Sequence, residues 1–446
     1  MLAADLQNGA TGPEEEEEEI QSSNIAAFRS AEKVYRLNWQ RVTRDGHGSS
    51  HDGTTASRCR VRDKRCVWVT TAPDLSHVLD LAGGTALPST AAAVRIPCPQ
   101  NLIDSGLVSA ECVVHELLGH PGAFHLAGAL SERQQLHWAR TCLEEAIEPP
   151  ATTNHTCHGS RLTRLWHAAM NNCEMDSTSG DWMPRRRIDG CDAGPLHGCD
   201  APVAVESSPL CATSLFRQLR WAALGTPYDW TARSYAAPAA VTCVDGHARR
   251  DVRPVPPAFC AFADAISTAL CGQSLRGDVA LVNLYGTGST LSGHVDDAEA
   301  GGEETAPVVA LSLGCPAILL LQNTQRGDHP AAMRKEETSP VPAVTPLLLR
   351  SGDVLLLSGQ ARRARHGVPR VFTPGDAARS PLSAQTAATE ALLDARQRQL
   401  AHLQSHLECG AECTAGADDV CVSAWLQHHR LNISIRDLEP SARVLA

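Results

Sequence analysis

Aromatic residues make up only 4% of this 446-residue chain: 8 Trp, 6 Phe and 4 Tyr. With so few rings the core must be built from aliphatic side chains, and any Trp or Tyr near a candidate site gains weight. No apolar stretch is long enough to span a membrane. The N-terminus lacks the apolar segment of a secretory signal, and its acidic character is the reverse of an Arg-rich transit peptide. The 17 cysteines contain no C-x-x-C, so the usual zinc-ribbon spacing is missing. Free thiols in a reducing compartment are expected. That means the cytosol or nucleus, with the mitochondrion left open. Positive charge is also scarce, and the formal net charge is −11.

The charge deficit is uneven. Residues 211–446 hold 21 basic and 23 acidic side chains, whereas residues 1–210 hold the remaining 18 and 27. Six of those acids form the single run Glu14–Glu19, which reads as a solvated, disordered tail. The C-terminal half is therefore nearly neutral and compatible with a polyanionic partner. Arg362-Arg-Ala-Arg365 is a candidate phosphate contact as well as an ordinary solvated loop. Apolar content of 43% supports a sizeable core, and the length allows two or three domains.

The sharpest chemical signal is His294 and Asp296 in Leu291-Ser-Gly-His-Val-Asp-Asp297, with His366 in Arg365-His-Gly-Val-Pro-Arg370. Two imidazoles and one carboxylate are the ligand set of the facial triad that holds Fe(II) and leaves positions open for oxygen and a cosubstrate. Residues i and i+2 of a strand share a face, so His294 and Asp296 can sit side by side. A structural zinc site would more often recruit thiolates. A chain with 19 histidines will match H-x-D by chance, so the motif needs support. His366 lies 70 residues beyond Asp296, and only a fold that returns on itself brings the two together.

A second signal is Arg430-Leu-Asn-Ile-Ser-Ile-Arg436. Arg430, Asn432, Ser434 and Arg436 alternate with Leu431, Ile433 and Ile435, the pattern of a strand with one polar face. Arginine captures carboxylates in bidentate fashion. Two guanidiniums on one face suit a small dianion, provided both lean inward across backbones roughly 20 Å apart. A solvated edge strand has the same pattern.

Taken together, Asn283-Leu-Tyr285, His294-Val-Asp296, His366-Gly-Val-Pro-Arg370 and Arg430-Leu-Asn-Ile-Ser-Ile-Arg436 resemble, in order and spacing, the AlkB-type Fe(II)/2-oxoglutarate dioxygenases. The resemblance is closest to the AlkB homologue 1 branch. Leu219-Arg-Trp-Ala-Ala-Leu-Gly225, Tyr228-Asp-Trp230, Tyr235, His120-Pro-Gly-Ala-Phe124 and Arg350-Ser-Gly-Asp353 are similar to it as well. The match covers about residues 118–145 and 211–446, with gaps.

The resemblance implies a mainly β fold with flanking helices, a double-stranded β-helix of the jelly-roll type. The short apolar runs Val308–Leu313, Ala317–Leu321, Val354–Leu357, Val368–Phe372 and Leu431–Ile435 are compatible with that fold. It implies Fe(II) held by His294, Asp296 and His366. It implies 2-oxoglutarate held by Arg430 at the end remote from iron, by Asn432 and Arg436 nearer the metal, and by hydrogen bonds from Asn283 and Tyr285. Oxygen is the other cosubstrate. The implied reaction removes a methyl group from a nucleobase nitrogen, N-methyladenine in tRNA or DNA, and releases formaldehyde, succinate and CO2. A protein or other small-group hydroxylase with the same chemistry, or a non-catalytic scaffold, are the alternatives. The expected partner is methylated RNA or DNA, with no membrane and a monomeric state.

Some family members carry a further acid four residues after the first metal histidine. That position is Ala298 here, as in the homologue 1 branch, and base recognition is left unassigned. Trp221, Tyr228, Trp230 and Tyr235 are the candidates for stacking on an unstacked base or closing a lid.

His115-Glu-Leu-Leu-Gly-His120 imitates a zinc-protease motif. Its histidines are five apart instead of four, which puts them on different faces of a helix. The expected organisation is a disordered acidic tail over 1–30, an extension over 31–146 whose helices pack on the core, a Cys- and His-containing insertion or loop over 147–210, and the dioxygenase domain over 211–446. Ser131-Glu-Arg-Gln134 predicts a capped helix start, and residues 385–407 an amphipathic helix.

Overall fold

Short aliphatic strands separated by turns dominate the computed structural model. It describes residues 13–36, 39–43, 66–70, 75, 77–81, 92–156, 163–171, 173–175, 182–184, 212–229, 234–235, 252–286, 288–296, 306–322, 343–372 and 417–439. The strands of the two main sheets are β1 (Ala93–Ile96), β2 (Val113–Leu117), β3 (Ala123–Ala127), β4 (Thr152–Thr153), β5 (Trp221–Gly225), β6 (Val279–Tyr285), β7 (Leu291–His294), β8 (Val308–Gly314), β9 (Ala317–Gln322), β10 (Val344–Leu349), β11 (Val354–Leu357), β12 (His366–Val371) and β13 (Arg430–Arg436). The helices used below are α1 (Pro13–Tyr35), α2 (Glu132–Thr141), α3 (Leu165–Asn171), α4 (Pro257–Cys271) and α5 (Ala417–Leu426).

The nine-stranded sheet has the order β1-β2-β3-β11-β8-β13-β6-β5-β4, and the four-stranded sheet β7-β12-β9-β10. Their pairings are antiparallel. From β6 onward the chain alternates between them. β6, β8, β11 and β13 lie in the large sheet; β7, β9, β10 and β12 lie in the small one. This winding is the double-stranded β-helix, and it returns β12 to the side of β7 after the long excursion between them.

Period-two alternation sorts the side chains into layers. Leu355 and Leu357 of the large sheet meet Leu319, Leu321, Leu347 and Leu349 of the small one between the sheets. The opposite parity of the large sheet, including Val309, Leu311, Leu431, Ile433 and Ile435, packs on a helical layer that carries Trp138, Phe259, Phe262 and Trp425. The outer face of the small sheet packs Ile318, Leu320 and Leu348 against Phe28 and Tyr35 of α1. The scarce rings are concentrated in the helical layer. Trp138 stacks on Phe259 at 4.6 Å, and Trp166, Phe216 and Trp425 form an edge-to-face cluster.

Several expectations need correction. The acidic run Glu14–Glu19 lies within helix α1, where a disordered tail is expected over 1–30. Acids at a helix N-terminus complement its macrodipole, and burial of Phe28 and Tyr35 anchors the other end. The extension over 31–146 contributes three strands, β1–β3, to the large sheet and does not only lay helices on it. The segment 147–210 is not simply a loop: β4 forms the sheet edge, and α3 buries Trp166 in the helical layer. Its Cys157, His158, Cys191, His197 and Cys199 lie outside the described residues, as does the helix expected over 385–407. The zinc-protease imitation fails for a second reason, because His115 is on strand β2 and no helix carries the motif.

The capping box at Ser131 is present. The Ser131 side chain accepts from the Gln134 N–H, and Gln134 Oε1 accepts from the Ser131 N–H at 2.8 Å. In the turn before β3, Gly122 has φ +89°, and a Cβ there would lie 2.2 Å from the Ser358 carbonyl oxygen. Buried Asp353 ties the start of β11 to β3, accepting from Gly128 N–H at 2.9 Å and Arg350 N–H at 2.8 Å, with His125 Nε2 at 3.1 Å.

His120 carries a pH prediction. It is buried, with Nε2 at 2.9 Å from Thr345 Oγ1, and burial pushes its pKa from 6.5 down to about 4. Below pH 6.5 the unfolded chain takes up a proton that the folded one refuses. Stability therefore falls as pH drops from 6.5 toward 4, by at most about 1.4 kcal/mol per pH unit from this group. Urea midpoints measured at pH 7 and pH 5 should differ in that direction, and His120→Gln should flatten the difference. An unchanged slope in the variant would remove His120 as its source.

Candidate metal centre

The ends of β7 and β12 meet in the small sheet, with His294 registered opposite His366. Their rings lie 4.4 Å apart between centroids. Asp296, two residues past the end of β7, completes the group. His294 Nε2 is 3.6 Å from Asp296 Oδ1, and His366 Nε2 is 3.9 Å from Asp296 Oδ2. One ligand atom from each residue lies within 4.8 Å of the others. A small inward movement of these side chains would let all three donors hold one ion at about 2 Å.

The backbone decides which ring nitrogen faces that ion. His294 Nδ1 lies 3.0 Å from the Ser292 carbonyl oxygen, and His366 Nδ1 lies 3.0 Å from the Ala364 carbonyl oxygen. A carbonyl only accepts, so each Nδ1 carries the hydrogen and each Nε2 keeps its lone pair for a metal. Burial lowers the His366 pKa, although Asp296 opposes it, and the ring stays neutral and able to ligate. Burial disfavours the Asp296 carboxylate, but the guanidiniums of Arg436 and, less strongly, Arg362 hold its carboxyl well below the usual range. The donor set is two imidazoles and one carboxylate without a thiolate, which suits Fe(II).

Strand β13 lies across the centre of the large sheet and presents the other predicted residues. Arg436 donates from Nη1 to Asp296 Oδ2 at 2.8 Å. Six residues earlier, Arg430 is 1% exposed and donates from Nη2 to Ser312 Oγ at 2.8 Å, with the Cys315 carbonyl at 3.4 Å from Nη1. Arg430 Nε is buried without a hydrogen-bond partner, a charged donor that an anionic acceptor would satisfy. Tyr285 is registered opposite Arg430, and Asn283 opposite Asn432. Burial pushes the Tyr285 phenol up to about 12 against the pull of Arg430, so Tyr285 remains a neutral hydroxyl. Asn432 donates from Nδ2 to the Leu311 carbonyl at 3.0 Å and accepts from Ser434 Oγ at 3.1 Å. Arg436 is thus beside the metal ligands and Arg430 at the far end, with a strip of polar side chains between them. Such a strip offers guanidinium and hydrogen-bonding groups of the kind that recognise a dicarboxylate.

The aromatic candidates separate. Trp221 is registered opposite Asn283, so it shares the face of Asn283 and Tyr285 and is half-buried. Tyr228 and Tyr235 pair edge to face at 5.1 Å across a short hairpin. Trp230 and Ala298 lie outside the described residues.

Sequence reasoning missed four supports of the centre. Arg362 and Arg365, expected either to contact phosphate or to sit in an ordinary solvated loop, are turned inward to the backbone. Arg362 is 1% exposed and donates to the carbonyls of Ala306 and Asp296 at 2.9 and 3.1 Å. Arg365 donates to the Gly293 carbonyl at 2.9 Å. Asp437, directly after the Arg strand, accepts from the N–H groups of Gly277 at 2.7 Å and Arg276 at 3.0 Å, and so fixes the end of β13 beside the start of β6. Its place next to Arg436 was the available signal. Glu32 is the fourth, and nothing in the sequence points to it.

The sequence profile of the family described as the 2OG-Fe(II) oxygenase superfamily matches residues 200–436. The chain belongs to that superfamily, whose chemistry uses Fe(II), 2-oxoglutarate and O2. It is 32% identical over 258 residues to the DNA N(6)-methyladenine demethylase ALKBH1A of Arabidopsis thaliana, an alignment covering 57% of this chain and 64% of that protein. It is 26% identical over 308 residues to the tRNA demethylase abh1 of Schizosaccharomyces pombe, covering 68% and 80%. The solved structure of OsALKBH1 covers 73% of this chain and 99% of its own, at 20% identity and a TM-score of 0.36. This chain thus spans just under two thirds of the Arabidopsis relative's length. No helix among the described residues is long and apolar enough to cross a membrane.

Proposed function

We propose that this chain is an oxidative demethylase of N-methylated nucleobases, with N-methyladenine in tRNA or DNA as substrate. The observation that carries the reading is the convergence of His294, Asp296 and His366 at one end of a strip that runs from Arg436 to Arg430. The relatives named as demethylases of DNA and of tRNA support the choice of substrate class.

In this reading His294, Asp296 and His366 hold Fe(II) by one face. Bound Fe(II), with O2 and 2-oxoglutarate, supplies the oxidising power. Arg430 takes the remote carboxylate of 2-oxoglutarate, assisted by the Tyr285 hydroxyl. Asn283, Asn432 and Arg436 orient the end nearer the metal. Arg436 also keeps Asp296 ionised and aimed. Trp221 and the Tyr228–Tyr235 pair are the candidate platforms for a base taken out of its stack. The working compartment is the cytoplasm or nucleus.

The test is formaldehyde release from matched methylated and unmethylated tRNA and DNA, with and without 2-oxoglutarate. Release is expected only from methylated substrate, only with 2-oxoglutarate, and not from His294→Ala. Succinate formation without formaldehyde on every methylated nucleic acid would move the assignment to a hydroxylase of another substrate. Activity surviving in His294→Ala would overturn the metal assignment.

A further inference from the structure

We infer that helix α1 belongs to the metal centre: Glu32 and Arg365 clamp the Gly293 peptide from two separate elements and act as positioning residues for His294. The need for a clamp follows from the sheet. Among the described residues β7 is the edge strand of the small sheet, hydrogen-bonded on one side only, to β12. Its register with β12 is broken between Leu291 and His294. The ladder alone therefore holds the first metal ligand loosely.

The missing partners come from elsewhere. The Gly293 N–H donates to Glu32 Oε1 at 2.7 Å, across 261 residues of sequence. The Gly293 carbonyl, which belongs to the peptide that begins His294, accepts from Arg365 Nη1 at 2.9 Å. The Phe28 ring occupies the space above Gly293, and a Cβ there would lie 2.2 Å from its Cε1. Glu32 and Phe28 are one turn apart on α1 and act on the same peptide. Arg362 gives Asp296 comparable support through its carbonyl. The two ligands from the β7 side are thus each fixed by a charged side chain bound to the backbone, and one of those supports arrives from the N-terminal helix.

The consequence is that α1 sets metal affinity without supplying a ligand. Outer supports of this kind commonly change metal affinity by about 10–100-fold when removed. The inference rests on His294, Asp296 and His366 being the metal ligands. Its test uses Co(II) as a visible probe of the full-length metal-free chain, with both the dissociation constant and the absorption spectrum read out.

Glu32→Ala and Arg365→Ala should each weaken Co(II) binding about tenfold and alter the spectrum. Glu32→Gln keeps an acceptor oxygen and should return to within about threefold of wild type on the same scale. Arg140→Ala, which removes a surface pair with Glu144, should change neither quantity. A purely structural role would lower thermal stability while leaving affinity and spectrum of the folded protein unchanged. If Glu32→Ala does not fold, Arg365→Ala carries the test, because it leaves the apolar contacts of α1 in place. Wild-type affinity and spectrum in Arg365→Ala and in any folded Glu32→Ala would overturn the inference. Equal binding by wild type and His294→Ala would instead overturn the metal assignment, and this inference with it.

Discussion

Asp296→Asn should sharply weaken metal binding while leaving the chain folded. The substitution keeps size and shape but removes the negative charge. That charge is the only anionic donor of the three, and the surrounding cations hold it ionised although the side chain is buried. Asparagine offers a neutral oxygen to the ion, and its amide hydrogens point like charges at Arg436, which sits 2.8 Å from the present carboxylate. We expect the affinity for Fe(II) or Co(II) to fall by about a hundredfold or more, equivalent to roughly 2.7 kcal/mol. Turnover should fall with it. Isothermal titration of the metal-free protein checks the first quantity, and far-ultraviolet circular dichroism checks that the fold is retained. Affinity within a fewfold of wild type would show that Asp296 is not a ligand.

Arg430→Lys should raise the KM for 2-oxoglutarate strongly and leave metal affinity nearly unchanged. Lysine keeps the charge but loses the planar fork that pairs with a carboxylate through two parallel bonds. The site is buried and Arg430 already spends one edge on Ser312 and Cys315, so a lysine ammonium must satisfy both sides from one point. A loss of about 2–3 kcal/mol for a buried charge-assisted contact corresponds to roughly 30- to 150-fold in affinity. In the proposed function the contact is made to the carboxylate that does not react, so it would be the same before and during turnover. KM should therefore change while kcat at saturating 2-oxoglutarate holds. Co(II) affinity should also hold, because Arg430 lies six residues along the strand from Arg436, about 20 Å of backbone. Unchanged 2-oxoglutarate binding would separate Arg430 from the cosubstrate.

How much of the site was legible in the sequence depends on the range of the interactions involved. The alternating residues of β13 could be read locally, because strand geometry puts i and i+2 on one face; Asp296 comes beside His294 although it lies two residues past the end of β7. The strands expected over Val308–Leu313, Ala317–Leu321 and Leu431–Ile435 are β8, β9 and β13. By contrast, β10 carries Thr345 and Pro346 in its first half, and the extension strands β1–β3 are short and lack clear alternation, so neither stood out. Of the tail expected over residues 1–30, residues 1–12 lie outside the described residues; from Pro13 the chain is helical, and the six consecutive glutamates mask an apolar anchor, Phe28 and Tyr35, that packs on β9 and β10.

The sequence by itself determined the donor chemistry: two imidazoles, a carboxylate and paired guanidiniums, in an order that resembles one family. It could not say what each arginine binds, since the same side chain serves a carboxylate, a phosphate or a carbonyl. Only the tertiary structure decided that Arg430 and Arg436 line the inner face while Arg362 and Arg365 hold the ligand-bearing backbone. It also decided that Glu32 reaches Gly293. The physical reason is that ligand identity is written in side-chain chemistry, whereas ligand position comes from hydrogen bonds to backbone groups, which every residue carries and no sequence pattern marks.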